Sequence, residues 1–289
     1  LVQRGKEKLK EYKFDKAMAD AARAFRLDSA NLEARELFAD VLNNMPERNL
    51  TVDLAAAQRH YKFLLRKLPK SPKILVSLAS TYSQQMDFET SFKYINKALR
   101  IDKHYRDAYV LKGSNYLFLG KPALAKSSYE TAVQQDPKFF EAYLMLGSLY
   151  YRENDSICLE YYKTAVSLQP KNPEVLFSLA YGYQVFNKPA KALPLYRKMI
   201  QIDTSYYQAL NQIGVIKQYN YNQTDSAIYY YKSALRSEPR FVQAWHNLGT
   251  CYEEQGDITR ALQSYAKALK YDPEFALSRE RADALKNAR

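Results

Sequence analysis

Apolar side chains, small residues and tyrosines return in a fixed order along this 289-residue chain. The stretch AWHNLGTCYEEQGDITRALQSYAKALKYDP, residues 244–273, has altered copies in AYVLKGSNYLFLGKPALAKSSYETAVQQDP at 108–137 and LFSLAYGYQVFNKPAKALPLYRKMIQID at 176–203. The interval is near 34 residues, and inside each copy the apolar and small positions follow the three-and-four spacing of a helix face. Each copy therefore predicts two helices joined by a short turn.

Two helices that cross closely need small residues where they touch. Counted from the first residue of each copy, position 8 reads Gly5, Ala39, Ala79, Gly113, Gly147, Ala180, Gly214 and Gly249. Position 20 reads Ala17, Ala57, Ser91, Ala125, Cys158, Ala192, Ala227 and Ala261. Position 24 is large, with Tyr61, Ile95, Tyr129, Tyr162, Tyr196, Tyr231 and Tyr265, and only Ala21 breaks the rule. A bulky side chain at position 8 or 20 would push the helices apart, while the large one at 24 fills the space beside them. Pro69, Pro137, Pro170, Pro239 and Pro273 close the second helices, and Gly120 and Gly256 sit in the turns.

This order resembles the tetratricopeptide repeat (TPR) family over essentially the whole chain. Trp245, Leu248, Gly249, Tyr252, Ala261, Tyr265, Ala268 and Pro273 match all eight signature positions. The resemblance implies an all-α, right-handed α-solenoid of about eight helix-turn-helix repeats. They are expected at 1–31, 32–71, 72–105, 106–139, 140–172, 173–206, 207–241 and 242–275, followed by a capping helix over 276–289. Three length changes are expected between the paired helices: extra residues around NNMPERNLTV at 43–52, one fewer near YRENDSICLE at 151–160, and one more in YNYNQTD at 219–225. Pro194 lies inside a second helix and is expected to kink it. The chain begins with Leu1 inside a repeat, which reads as a cut N-terminus, whereas the capping helix reads as a natural C-terminus.

Composition narrows the chemistry. Tyrosine is abundant (26) and glycine scarce (8), and no apolar run is long enough to span a membrane. Seven glycines hold repeat or turn positions, which leaves no phosphate-cradling glycine loop. His246 and Cys251 stand five positions apart, a rotation of about 140° on a helix, so they form no dyad. Cys158 and Cys251 are in separate repeats and read as packed thiols, and His60, His104 and His246 lack metal-ligand spacing. No catalytic residue, cofactor or metal is expected.

Surface is what remains. Positions 2, 5, 9 and 12 of the first helix share a face distinct from the buried one, and the resemblance implies that this face lines the inside of the superhelix. Through the middle repeats it reads Val110, Ser114 and Leu117, then Leu144, Ser148 and Tyr151, then Phe177, Tyr181 and Gln184, then Asn211, Val215 and Gln218, with Tyr219 and His246 beyond. Such a lining predicts a peptide-binding groove for a segment or helix of a partner protein, unless these side chains only pack neighbouring helices. The expected function is a non-catalytic scaffold or adaptor.

Charge gives a second surface. Residues 51–100 hold nine Lys/Arg against three Asp/Glu, a net +6 of the chain's +12. Arg59, Lys62, Arg66, Lys67, Lys70 and Lys73 form a basic patch that reads as a solvated face or as a site for an acidic protein, anionic lipid or nucleic acid. The absence of stacking aromatics in the pattern argues against RNA. A further reading is the TPR part of a larger enzyme or of an envelope-anchored machine, because YNYNQTDSAIYYYKSAL resembles TPR lipoproteins of bacterial envelopes. That reading places the chain in the periplasm, the alternative being the cytoplasm.

Overall fold

The computed structural model describes residues 1–11, 13–45 and 50–287, and within them all regular structure is helical. The chain divides into two compact units, Leu1–Ala142 and Tyr143–Arg289. Part of the insertion expected at 43–52, and the last two residues of the capping segment, lie outside the described residues.

The first unit stacks four antiparallel helix pairs: α1 (Val2–Lys10) with α2 (Phe14–Leu27), α3 (Leu32–Asn44) with α4 (Leu50–Lys67), α5 (Pro72–Gln84) with α6 (Phe88–Ile101), and α7 (Arg106–Phe118) with α8 (Pro122–Gln135). Helix α9 (Phe140–Arg152) begins at its end and belongs mostly to the second unit. There α10 (Cys158–Leu168) precedes the pairs α11 (Pro173–Val185) with α12 (Pro189–Ile202), α13 (Tyr207–Val215) with α14 (Thr224–Ser237), and α15 (Val242–Glu254) with α16 (Ile258–Tyr271). Helix α17 (Ala276–Asn287) packs on α16.

Local chemistry sets the ends. The side chains of Asn31, Ser71 and Asp87 accept hydrogen bonds from the N–H of Ala34, Ile74 and Thr90 and so cap α3, α5 and α6. Pro72, Pro122, Pro173 and Pro189 open helices, where a missing N–H costs nothing. The turns inside successive pairs each contain one left-handed residue: Met86, Gly120, Asn154, Asn187, Asn222 and Gly256. Asparagine tolerates that conformation and thus substitutes for glycine in three of them.

The packing rule has a direct geometric cause. A Cβ added to Gly113 would stand 2.5 Å from Cε1 of Tyr129, and one on Gly249 would stand 2.5 Å from Cε1 of Tyr265. The tyrosine ring of the second helix therefore lies flat across the glycine of the first. Tyr61, Tyr129, Tyr196, Tyr231 and Tyr265 are completely buried, and each such side chain contributes on the order of 1.5–3 kcal/mol through burial. Where position 24 is Ala21, Leu37 of the next repeat fills the space instead, 2.6 Å from the Cβ that Gly5 lacks.

Irregular repeats are accommodated in different ways. Helix α10 starts at Cys158 and has 11 residues, against 14 in α8 and α12. The extra residue near 219–225 does not loop out between the helices. It is absorbed in a π-helical turn, Ile216–Asn220, at the end of α13, because i to i+5 pairing takes one more residue per turn. Helix α12 runs from Pro189 to Ile202 and is not ended by Pro194.

Candidate functional site

The tyrosine at position 24 carries its hydroxyl past the small residue at position 8 to positions 9 and 12 of the first helix. Tyr129 Oη lies 3.1 Å from Ser114 Oγ, and Tyr162 Oη donates to Ser148 Oγ at 3.4 Å. Tyr196 donates to Gln184 Oε1 at 3.1 Å, Tyr231 to Gln218 Oε1 at 2.9 Å, and Tyr265 to Glu253 Oε2 at 2.8 Å. Position 24 and position 9 or 12 are thus joined by one polar contact in each of these repeats.

That contact sorts the expected groove residues. In the first unit Val110, Ser114 and Leu117 are all half-buried on α7. In the second unit Tyr151, Phe177, Tyr181 and Gln184 come together as an aromatic patch. Phe177 and Tyr181 stack at 5.9 Å, Tyr151 lies 6.1 Å from Tyr181, and Tyr196 meets Phe177 edge-on at 5.7 Å. Tyr181 is 36% exposed and forms the most open point of the patch. A pocket of about 320 Å³ opens beside Phe177, bounded by Glu174, Met199, Tyr206 and Gln208.

Other expected residues serve packing. Leu144 is buried, Ser148 and Val215 are half-buried, and Asn211 is buried with its Oδ1 accepting from Asn247 Nδ2 at 3.1 Å. Gln218 is buried at the centre of a network: besides accepting from Tyr231, it donates Nε2 to Thr250 Oγ1 at 3.1 Å and to Glu254 Oε1 at 2.7 Å. Both Gln218 and Tyr219 lie in the π-helical turn, and Tyr219 is 57% exposed. His246 sits beneath α17, its Nδ1 3.0 Å from Ser278 Oγ and its ring against Tyr265 and Phe275. Burial and the nearby Arg281 lower its pKa, so it is a neutral packing residue.

The thiols fit the same description. Both cysteines are buried; burial, with help from Asp155, pushes Cys158 up to about 11, and burial with Glu254 pushes Cys251 up to about 12. A thiolate nucleophile is disfavoured at both. Among the described residues no group of His, Cys, Asp and Glu is arranged to hold a metal ion, and no helix is long and apolar enough to cross a membrane.

Two polar contacts of the first unit were not foreseen from the sequence. On α3 the same face is charged: Asp40 Oδ1 accepts from Tyr61 Oη at 2.7 Å, and Lys73 Nζ lies 2.6 Å from Glu36 Oε1. Burial raises the Asp40 carboxyl to about 6 despite the Tyr61 hydrogen bond and the charge of Lys73. Asp40 at position 9, where the next two repeats have serine, was the available signal. Lys73 is accordingly committed to Glu36 and leaves the basic patch. Arg59, Lys62, Arg66, Lys67 and Lys70 remain exposed, but Lys62 and Arg66 face a groove shared with Lys97 and Arg100 of the next repeat.

Tetratricopeptide repeat family models match residues 72–105, 110–156 and 242–275. The chain is 27% identical over 151 residues to the BBSome complex member BBS4 homolog of Drosophila melanogaster, covering 52% of this chain and 31% of the relative. The APC/C hetero-tetramer Cut9-Hcn1 superimposes with a TM-score of 0.66 at 15% identity, over 94% of this chain and 52% of that one. The C-terminal part of a TPR repeat-containing protein from Cytophaga hutchinsonii gives 0.62 at 18% identity, over 85% and 98%. The chain spans about a third of the length of the curated relatives it matches. With the glycine and tyrosine packing repeated in both units and three separate stretches matching one family, the chain is built of tetratricopeptide repeats.

Proposed function

We propose that this chain is a non-catalytic scaffold that binds a peptide segment or helix of a partner protein on its first-helix face, centred on Tyr151, Phe177 and Tyr181. TPR proteins are commonly interaction scaffolds, and the BBS4 homolog is by name a member of a complex. The observation that carries the reading is the aromatic patch, with Tyr181 exposed beside the pocket at Phe177. Rigid aromatic rings offer large contact area at small entropy cost, and the pocket accepts one apolar side chain as an anchor. Gln184, held by Tyr196 and Gln212, supplies a fixed polar group at the edge.

The test is selection of displayed peptides on the intact chain, followed by their affinity for Tyr181→Ser and for Phe177→Ser/Tyr181→Ser. Retained helicity and melting temperature establish that each variant is folded. Losses of about tenfold or more are expected on removing a central anchor. Unchanged affinity in both variants sinks the proposal.

A further inference from the structure

On the opposite side of the repeats, grooves run between successive second helices, and two of them, one in each unit, carry four cations at corresponding repeat positions. Between α4 and α6 a groove of about 510 Å³ is bordered by Lys62, Arg66, Lys97 and Arg100. Between α14 and α16 a groove of about 850 Å³ is bordered by Lys232, Arg236, Lys267 and Lys270. Taking Tyr61 and Tyr231 as position 24, the first two cations of each quartet fall at positions 25 and 29, and the last two at 26 and 29 of the following repeat. The floors also correspond: Leu65 and Leu235 occupy position 28, and Leu75 and Trp245 position 4. A cation–ring contact repeats as well, with Lys62 Nζ 5.6 Å above the ring of Tyr82 and Lys232 Nζ 5.6 Å above that of Tyr252.

The quartet is not a general property of these helices. The same positions hold Glu130, Thr131 and Gln134 in α8, Lys163, Thr164 and Ser167 in α10, and Arg197, Lys198 and Gln201 in α12, and the groove of about 530 Å³ between α12 and α14 has only Arg197 and Arg236. No carboxylate lines either groove, and among the described residues none of the eight cations forms an ion pair; Arg260, which also lines the second groove, is paired with Asp257 at 2.6 Å. Four like charges around an apolar strip raise the local positive potential and leave a surface that is matched only by an occupant both acidic and apolar.

We infer that these grooves dock acidic amphipathic segments of a partner protein, apolar side chains on the leucine floor and carboxylates against the two cation rows. Concavity and the apolar floor favour such a segment over a flat membrane surface or a nucleic-acid backbone. The inference is independent of the first-helix patch, whose residues it does not use.

Trp245 is the only tryptophan of the chain and lines the groove of the second unit, so its emission reports that site alone. The probe is the synthetic peptide LEELLEELLEEL, with LQQLLQQLLQQL as its uncharged control. Expected are a saturable change in Trp245 emission with the acidic peptide, none with the control, and two peptides bound per chain by calorimetry. The change weakens on the order of tenfold in Lys232→Gln/Arg236→Gln/Lys267→Gln/Lys270→Gln. Replacing Lys62, Arg66, Lys97 and Arg100 by Gln removes one bound peptide and leaves the Trp245 signal intact. The inference is overturned by an unresponsive Trp245, by an equal response to the control, by full binding in the first variant, or by a response to phosphatidylglycerol vesicles with none to peptide. Phe177→Ser/Tyr181→Ser binds LEELLEELLEEL normally, which separates this outcome from that of the first-helix patch.

Discussion

The hydroxyl of Tyr231 donates to Oε1 of Gln218 at 2.9 Å, across a ring that rests on Gly214. Both residues are buried, and Gln218 spends its amide hydrogens on Thr250 and Glu254. Gln218→Ala leaves the tyrosine hydroxyl without its partner and is expected to cost about 1–3 kcal/mol. Ser114→Ala, at a half-buried site that water can reach, costs less than about 1 kcal/mol. Urea midpoints of the two variants measured side by side check the order.

Gly249→Ala tests the ring-on-glycine packing. The added methyl meets Tyr265 at 2.5 Å, a distance that forces the ring off its rotamer or the helices apart. Overpacking of this kind costs about 1–3 kcal/mol, more than the gain of up to about 1 kcal/mol from replacing glycine in a helix. The variant should melt below the parent; a higher melting temperature would show that the approach is not close.

Met86 is the one bulky residue among the left-handed turn positions, at φ 61° and 70% exposed. A left-handed non-glycine residue costs about 1–2 kcal/mol, part of which is returned as chain entropy when glycine replaces it. Met86→Gly is expected to stabilise the first unit by about 0.5 kcal/mol and Met86→Val to destabilise it. Thermal melts of the pair decide the sign.

Asp40 sets a pH dependence opposite to the usual carboxylate. Its folded pKa of about 6 lies above its unfolded value of about 3.9. The folded state therefore binds the proton more tightly, so its contribution is fully favourable below about pH 4 and is lost as pH rises through 6. Asp20 runs the other way, held low by hydrogen bonds from Arg4 and Lys8. A difference curve between the parent and Asp40→Asn isolates the first effect: the variant gains relative stability between pH 4 and 7, on the order of 2 kcal/mol at the upper end. A flat difference curve contradicts the assignment.

How far the sequence could be read follows from whether a property belongs to one repeat or to two. The small residues at positions 8 and 20 and the tyrosine at 24 act within a single pair of helices, so their order predicted the packing directly. Exposure of positions 5, 9 and 12 depends on what the next repeat places over them. Asn211 is covered by Asn247 and His246 by Ser278, neither of which the spacing announces. Tyr151, Phe177 and Tyr181 remain together because their neighbours are other rings. The cation quartets were missed for the same reason, since each takes two positions from one repeat and two from the following one. The π-helical turn was invisible because an added residue in a polar stretch reads as a longer loop.

That turn also has a bearing on how such an array changes over time. A residue gained inside a helix would ordinarily rotate everything after it by about 100° and misalign the packing face. Confined to Ile216–Asn220, the gain leaves Ala227 and Tyr231 of α14 fully buried against their neighbours. Single-residue insertions can thus accumulate at the ends of the first helices, altering side chains such as Tyr219 on one repeat while the register of every other repeat is inherited unchanged.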